Sequence, residues 1–159
     1  MMNINNRTSK YYQGKYNPRY PEKYKGNVTE IVFRSSWELK FAKWCDLNEN
    51  VIEWSSEEVI VKYFYPVDKK WHRYFVDFWI KVKQMDGTIK EMLIEVKPAD
   101  QTKAPKKPQR VTKNYIDKVN TFIKNDSKWK AAETYCEQQR MLGKNISFEI
   151  ITERELNIK

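Results

Sequence analysis

The side chains best suited to chemistry in this chain are carboxylates set among large apolar neighbours, with a lysine close by. Asp77 stands between Phe75-Val76 and Phe78-Trp79, and Glu95 follows Leu93-Ile94, with Lys97 two residues on. Strand alternation over 73–82 puts Phe75, Asp77, Trp79 and Lys81 on one face and Tyr74, Val76, Phe78, Ile80 and Val82 on the other. Over 89–97, Leu93, Glu95 and Lys97 share one face and Met92, Ile94 and Val96 the other. A carboxylate in apolar surroundings is costly unless it is paired, hydrogen-bonded or bound to a cation. Two such groups on adjacent strands repel each other, and a bound cation relieves the repulsion. Hard oxygen donors suit Mg²⁺, with Mn²⁺ as a substitute. Metal-assisted hydrolysis of a phosphodiester needs this set: carboxylates for the ion, a positioned water, and a cation such as Lys97 for developing charge. The same side chains also fit a cross-strand salt bridge, and alternation alone does not choose.

Glu38 has two readings as well. Ser35-Ser36-Trp37-Glu38 is a capping box, with Ser35 at the N-cap and Glu38 three residues later. Glu38 also lies at the edge of the stripe formed by Phe41, Ala42 and Cys45, from which it can face a sheet. Gln at 38 would keep most of the cap and lose a metal ligand.

These residues need elements to hold them. The capping box opens a helix that ends near Asn48 or Asn50. A β region begins near Val51, and Val59–Tyr65 and Arg73–Val82 read as strands. Met85-Asp86-Gly87-Thr88 supplies a hairpin turn into a strand over Ile89–Lys97. The order is thus a helix followed by three strands in a meander. Residues 99–110 form a Pro- and Lys-rich loop. Two helices are expected at about 110–124 and 127–142, then a strand over Ile146–Ile151. Thr152-Glu153-Arg154-Glu155 is a second capping box, opening a short terminal helix. Residues 1–30 read as a basic arm, broken by Gly14, Pro18, Pro21 and Gly26, and residues 31–159 as one domain. The arm carries Tyr11, Tyr12, Tyr16, Tyr20 and Tyr24, which fit either stacking on nucleic acid or burial against their own domain.

Composition bounds the function. Hydrophobic residues are 40% of the 159, enough for a core. No apolar run is long enough to span a membrane, and Met1–Lys10 lacks the apolar stretch of a secretory signal, so an intracellular protein is expected. Two cysteines, Cys45 and Cys136, suggest no disulfide framework, and the single His72 leaves a zinc site short of ligands. The net charge of +9 is unevenly spread. Residues 1–30 hold six Lys/Arg against two acids, and residues 97–130 hold ten against three. The segments between and after are nearly neutral. Clustered basicity fits a polyanion partner, and equally a solvated surface. If that partner is DNA, the residues expected to touch its phosphates are Arg34, Lys103, Lys106, Lys107, Arg110 and Lys113.

Arg34-Ser35-Ser36-Trp37-Glu38, Val51-Ile52-Glu53-Trp54 with Glu57, Arg73-Tyr74-Phe75-Val76-Asp77-Phe78 and Ile94-Glu95-Val96-Lys97-Pro98 occur in the order of the PD-(D/E)xK nucleases. The chain resembles the TnsA-like branch and, within it, the head-completion nucleases of T-even-like tailed phages. There a Lys/Pro-rich loop, a Lys-Trp-Lys-Ala-Ala segment like Lys128–Ala132 and a late strand running into Thr-Glu recur. Val76 stands where the family name has Pro. The resemblance implies an α/β restriction-endonuclease-like core: a mixed central sheet in α-β-β-β-α-β order, flanked by helices. It gives Glu38, Asp77 and Glu95 the role of metal ligands and Lys97 that of catalytic lysine, on double-stranded DNA. It also implies action after DNA packaging, with portal, neck or head proteins as partners, in host cytoplasm or virion. Two other readings remain: a virion protein that binds DNA ends without cutting, and a junction-resolving or transposon-end nuclease working as a homodimer or with a partner.

Overall fold

The computed structural model describes residues 13–156. In chain order its regular elements are β1 (Gly14–Lys15), β2 (Val32–Phe33), α1 (Ser36–Leu47), β3 (Val51–Ser56), β4 (Ile60–Tyr65), β5 (Lys70–Phe75), β6 (Phe78–Lys83), β7 (Ile89–Val96), α2 (Lys113–Met141) and β8 (Ile146–Ile151). The central sheet runs β3-β6-β7-β8. Its first two pairings are antiparallel and β7–β8 is parallel. This is the mixed sheet expected, flanked by helices.

Within it β3, β6 and β7 precede α2 and β8 follows, but the expected meander strand Val59–Tyr65 lies outside this sheet, in a separate hairpin, and Val51–Ser56 takes its place. Five strands lie between α1 and α2 rather than three. The stretch 73–82 is not one strand, because its partner changes midway. Up to Phe75 it pairs with β4, in register from Ile60↔Phe75 to Tyr65↔Lys70. From Phe78 it pairs with β3 and β7. At the step, the Val76 N–H donates to the Val59 carbonyl, and the Asp77 carbonyl accepts from the Glu57 N–H. Asp77 therefore sits where a separate β4–β5 hairpin meets the central sheet. The alternation of burial survives the break but the single face does not: Tyr74 and Val76 pack in the core on the α2 side, Phe78 and Ile80 in the core on the α1 side.

The two helices expected at 110–124 and 127–142 are one, α2, of 29 residues. It contains neither Gly nor Pro, and its polar Asn125-Asp126-Ser127 segment is absorbed. Asn125 is buried, and the Ser127 hydroxyl bonds back to the Ile123 carbonyl at 2.8 Å. The second capping box does form, with the Thr152 N–H donating to Glu155 at 2.8 Å. It closes a turn as far as Leu156, and the rest of the expected helix lies outside the described residues.

The core lies on both faces of the sheet. Phe41, Ala42 and Cys45 of α1 pack on Val51, Trp54, Phe78, Ile80, Ile94 and Val96. Trp129, Ala132 and Cys136 of α2 pack on Leu93, Ile146 and Phe148, and on Val61, Tyr63 and Tyr74 of the hairpin. Both cysteines are buried and free. No helix among the described residues is long and apolar enough to cross a membrane.

The described part of the arm wraps its own domain. Tyr16 and Tyr24 set their rings edge-on to Trp54, at 6.1 and 4.8 Å. The fully buried Asp46 accepts from the Tyr16 hydroxyl at 2.6 Å and from the Arg19 and Tyr20 N–H groups at 2.7 and 2.9 Å. Lys23 donates to the carbonyls of Cys45, Asp46 and Asn48 at 2.7–2.9 Å, satisfying the open end of α1. Tyr11 and Tyr12 lie outside the described residues.

Candidate active site

The sheet brings Asp77, Glu95 and Lys97 together. Phe78 and Ile94 are register partners, so Asp77 at the entrance of β6 faces the end of β7. The Val96 N–H donates to Asp77 Oδ2 at 2.9 Å, locking the two strands at this point. Glu95 is buried, and Lys97 approaches its Oε1 to 3.7 Å. Tyr74, at the end of the hairpin, donates its hydroxyl to Glu95 Oε2. Asp77 thus has one oxygen held by the backbone, and Glu95 has one held by a phenol and the other beside the Lys97 ammonium.

Glu38 arrives from the first turn of α1. The cap observed is partial. Ser35 Oγ accepts from the Glu38 N–H at 3.1 Å, and its hydroxyl lies 3.3 Å from the Glu38 carboxylate. Burial, followed by the charge of Glu57, pushes the Glu38 carboxyl up to about 7. Asp77 is pushed well above the carboxylate range by burial, then by Glu95 and by Glu38. The carboxylates are therefore close enough to feel one another. Among the described residues, however, no three His, Cys, Asp or Glu side chains lie together closely enough to hold a metal ion.

The chemistry of the donor set still fits a hard divalent cation. Hard anionic oxygens repel one another in a buried position, and Lys97 with its single charge pairs, among the described residues, with Glu95 alone. Asp77 and Glu95 would hold such an ion, whereas Glu38 is not gathered with them into a three-ligand group.

Three further groups border the site, and the sequence did not single them out for it. Glu57 adopts a left-handed backbone (φ 56°) beside Asp77, and its carboxylate takes both Arg34 contacts, at 2.9 and 3.2 Å. Arg34, expected on phosphate, is thus engaged in a bidentate ion pair at the rim. Lys128 of α2 lies 5.5 Å from the Tyr74 ring centre and 5.9 Å from that of Tyr63. Burial lowers its ammonium, while Glu95 and Asp77 pull it back up. Tyr74 completes the three. Only pairing across distant strands and α2 reveals Tyr74 and Lys128. Glu57 had a local signal, an acid pair closing a strand.

The other expected DNA contacts lie apart from the carboxylates. Lys103, Lys106, Lys107, Arg110 and Lys113 are exposed on the loop between Lys97 and α2, or at the first turn of α2. Lys103 and Lys106 line a groove of about 760 Å³ with Asp100, Asn114 and Lys118.

Comparison with known proteins decides what this site belongs to. Residues 48–153 match the family described as TnsA-like endonuclease N terminal. The chain belongs to the TnsA-like endonuclease family. It is also 37% identical over 146 residues to the head completion nuclease of Enterobacteria phage T4, covering 89% of this chain and 91% of that one. No solved structure matches it. This TnsA-like nuclease therefore carries Asp77, Glu95 and Lys97 inside the matched family segment, while Glu38 and Arg34 precede it.

Proposed function

We propose that this nuclease is a divalent-metal-dependent DNA endonuclease acting in completion of a phage head. The observation that carries the chemistry is the meeting of Asp77, Glu95 and Lys97 at the β6–β7 junction, with the Glu38 carboxyl raised nearby. The head-completion role rests on the T4 relative, which matches nearly end to end. A divalent ion bound by Asp77 and Glu95, with Glu38 as third carboxylate, would supply Lewis-acid polarisation of the scissile phosphate. Lys97 offsets charge building on the phosphate oxygens, at 3.7 Å from the carboxylate that orients it. Tyr74 and the Val96 N–H hold Glu95 and Asp77 in place, so that little reorganisation is left for the reaction. The exposed lysines after Lys97 lead a duplex toward the cleft.

The test is incubation of purified protein with duplex DNA and Mg²⁺ or Mn²⁺, with a chelator control. Wild type is expected to cut, while Asp77→Ala and Lys97→Ala fall by at least about a hundredfold. Cutting that survives both substitutions would come from a contaminant. No cutting under any metal would leave a DNA-end-binding virion protein as the better reading.

A further inference from the structure

The outer face of the β4–β5 hairpin is used by nothing described so far. Its inner face, Val61, Tyr63, Tyr65 and Tyr74, is buried in the core. Its outer face holds three cross-strand pairs in register: Ile60↔Phe75, Lys62↔Arg73 and Phe64↔Trp71. Trp71 is 69% exposed, and Phe64 and Phe75 are more than 40% exposed. For so small a domain this is a large apolar area left in water.

The middle pair makes the face unusual. Lys62 and Arg73 are like charges directly opposite each other, an arrangement that destabilises a ribbon. Neither has a carboxylate partner among the described residues. Arg73 lies only over the Phe75 ring, at 5.5 Å. Asp68, the acid at the tip, is taken by His72 at 2.6 Å and by the Lys70 N–H at 3.0 Å. The face is therefore cationic across its centre and aromatic on both sides. Lys62, Trp71, Arg73 and Phe75 line one shallow groove there. The ribbon also runs directly into the site, since Asp77 is two residues beyond Phe75.

An anionic partner with flat faces to stack fits this pattern. An apolar protein surface would bury two unpaired like charges, at a cost in desolvation. A nucleic-acid strand supplies phosphates for the cations and base faces for the rings. Duplex DNA hides its base faces inside the stack, whereas unpaired nucleotides present them. We propose that the outer face of the β4–β5 hairpin binds an unpaired segment of DNA next to the cleavage site, with bases on Phe64, Trp71 and Phe75 and phosphates on Lys62 and Arg73. The substrate class is then DNA with a single-stranded end, flap or branch. This rests on the DNA-directed reading above, but binding is measured without metal, so each fails separately.

The experiment is fluorescence anisotropy of a labelled oligothymidylate, against a duplex of the same length, in chelator. Trp71→Ala is expected to weaken oligothymidylate binding about tenfold. Trp71→Phe should keep most of it, because the ring is retained. Lys62→Glu with Arg73→Glu should weaken it further and flatten its salt dependence. All these side chains point outward, and circular dichroism melting checks that each variant is folded. The idea is overturned if folded Trp71→Ala binds the oligonucleotide like wild type. It is also overturned if each variant loses duplex and single strand equally. Variants that keep both nucleic acids yet lose a phage head protein would overturn it too, making the face a protein-docking surface.

Discussion

At the scale of single residues, the candidate site holds carboxylates where burial disfavours their charge. Glu38 shows the consequence most directly. Its carboxyl is raised from 4.5 to about 7, chiefly by burial and then by Glu57. A carboxyl raised on folding binds its proton more tightly in the folded chain. Its contribution is thus fully present below about 4.5 and is lost as pH rises through about 7. In chelator, thermal stability is expected to fall between those values, and Glu38→Gln should flatten that fall. An unchanged slope in the variant would assign the pH dependence elsewhere. Tyr74 carries a second prediction. Its hydroxyl fixes Glu95 Oε2, so Tyr74→Phe should lower cleavage about 10–100-fold while the fold is kept, as loss of an orienting partner does. Loss of folding instead would make the hydroxyl structural. Asp77, Glu95 and Lys97 stand out in the sequence because alternation places charged groups among apolar ones, but alternation left a salt bridge equally open, and the Lys97–Glu95 pair at 3.7 Å fits that reading too. Tyr74 does not stand out, since its parity marks it as core. Its ring is indeed core, and only its hydroxyl reaches the site.

At the scale of elements, the decisive features are joints between pieces that look continuous or separate in sequence. The stretch 73–82 reads as one strand by its unbroken parity. Nothing local to it says that its partner changes from β4 to β3 at Val76 and Asp77. That change opens the ladder where the aspartate sits. The reverse holds for α2, where Asn125-Asp126-Ser127 has the residue types of a break and the helix continues. Asp126 offers a check. In an unbroken helix it makes only an exposed pair with Lys130 at 2.8 Å, so Asp126→Ala should change stability by less than about 0.5 kcal/mol. A cost nearer 1 kcal/mol in urea unfolding would mean that it caps a helix start. The arm is joined through Asp46, with two backbone donors and one phenol on a fully buried carboxylate. Asp46→Ala strands those donors and should cost about 3 kcal/mol. Limited proteolysis should then cut first between residues 16 and 23. The tyrosines of the arm were legible as aromatic, but whether they stack on DNA or on Trp54 depends on Asp46, thirty residues from Tyr16.

At the scale of the whole molecule, charge is unevenly placed. Glu95 is buried and Asp77 partly so, with Lys97 and Lys128 beside them, and most of the excess cations lie on the exposed loop and helix that follow. Residues 97–130 carry ten Lys/Arg against three acids, and they begin at Lys97 itself. The exposed loop after it is tied back near its start, where the Ala99 N–H donates to Glu153 at 3.0 Å. Grouped carboxylates repel a polyanion, so its approach must be driven by charge elsewhere. The loop is the nearest source in sequence, and its side chains have no partner in an ion pair among the described residues. Each phosphate contact releases counterions and adds about 0.9 to the slope of log affinity against log salt. Changing Lys103, Lys106, Lys107 and Arg110 together to Gln should therefore lower the slope for duplex binding by about 3 to 4, with little change in melting temperature. Binding read in chelator separates this from catalysis, since Asp77 and Glu95 remain. A weakened affinity with an unchanged slope would mean the loop shapes the cleft rather than contacts phosphate. A slope that falls only for oligothymidylate would move the phosphate contacts to the unpaired strand.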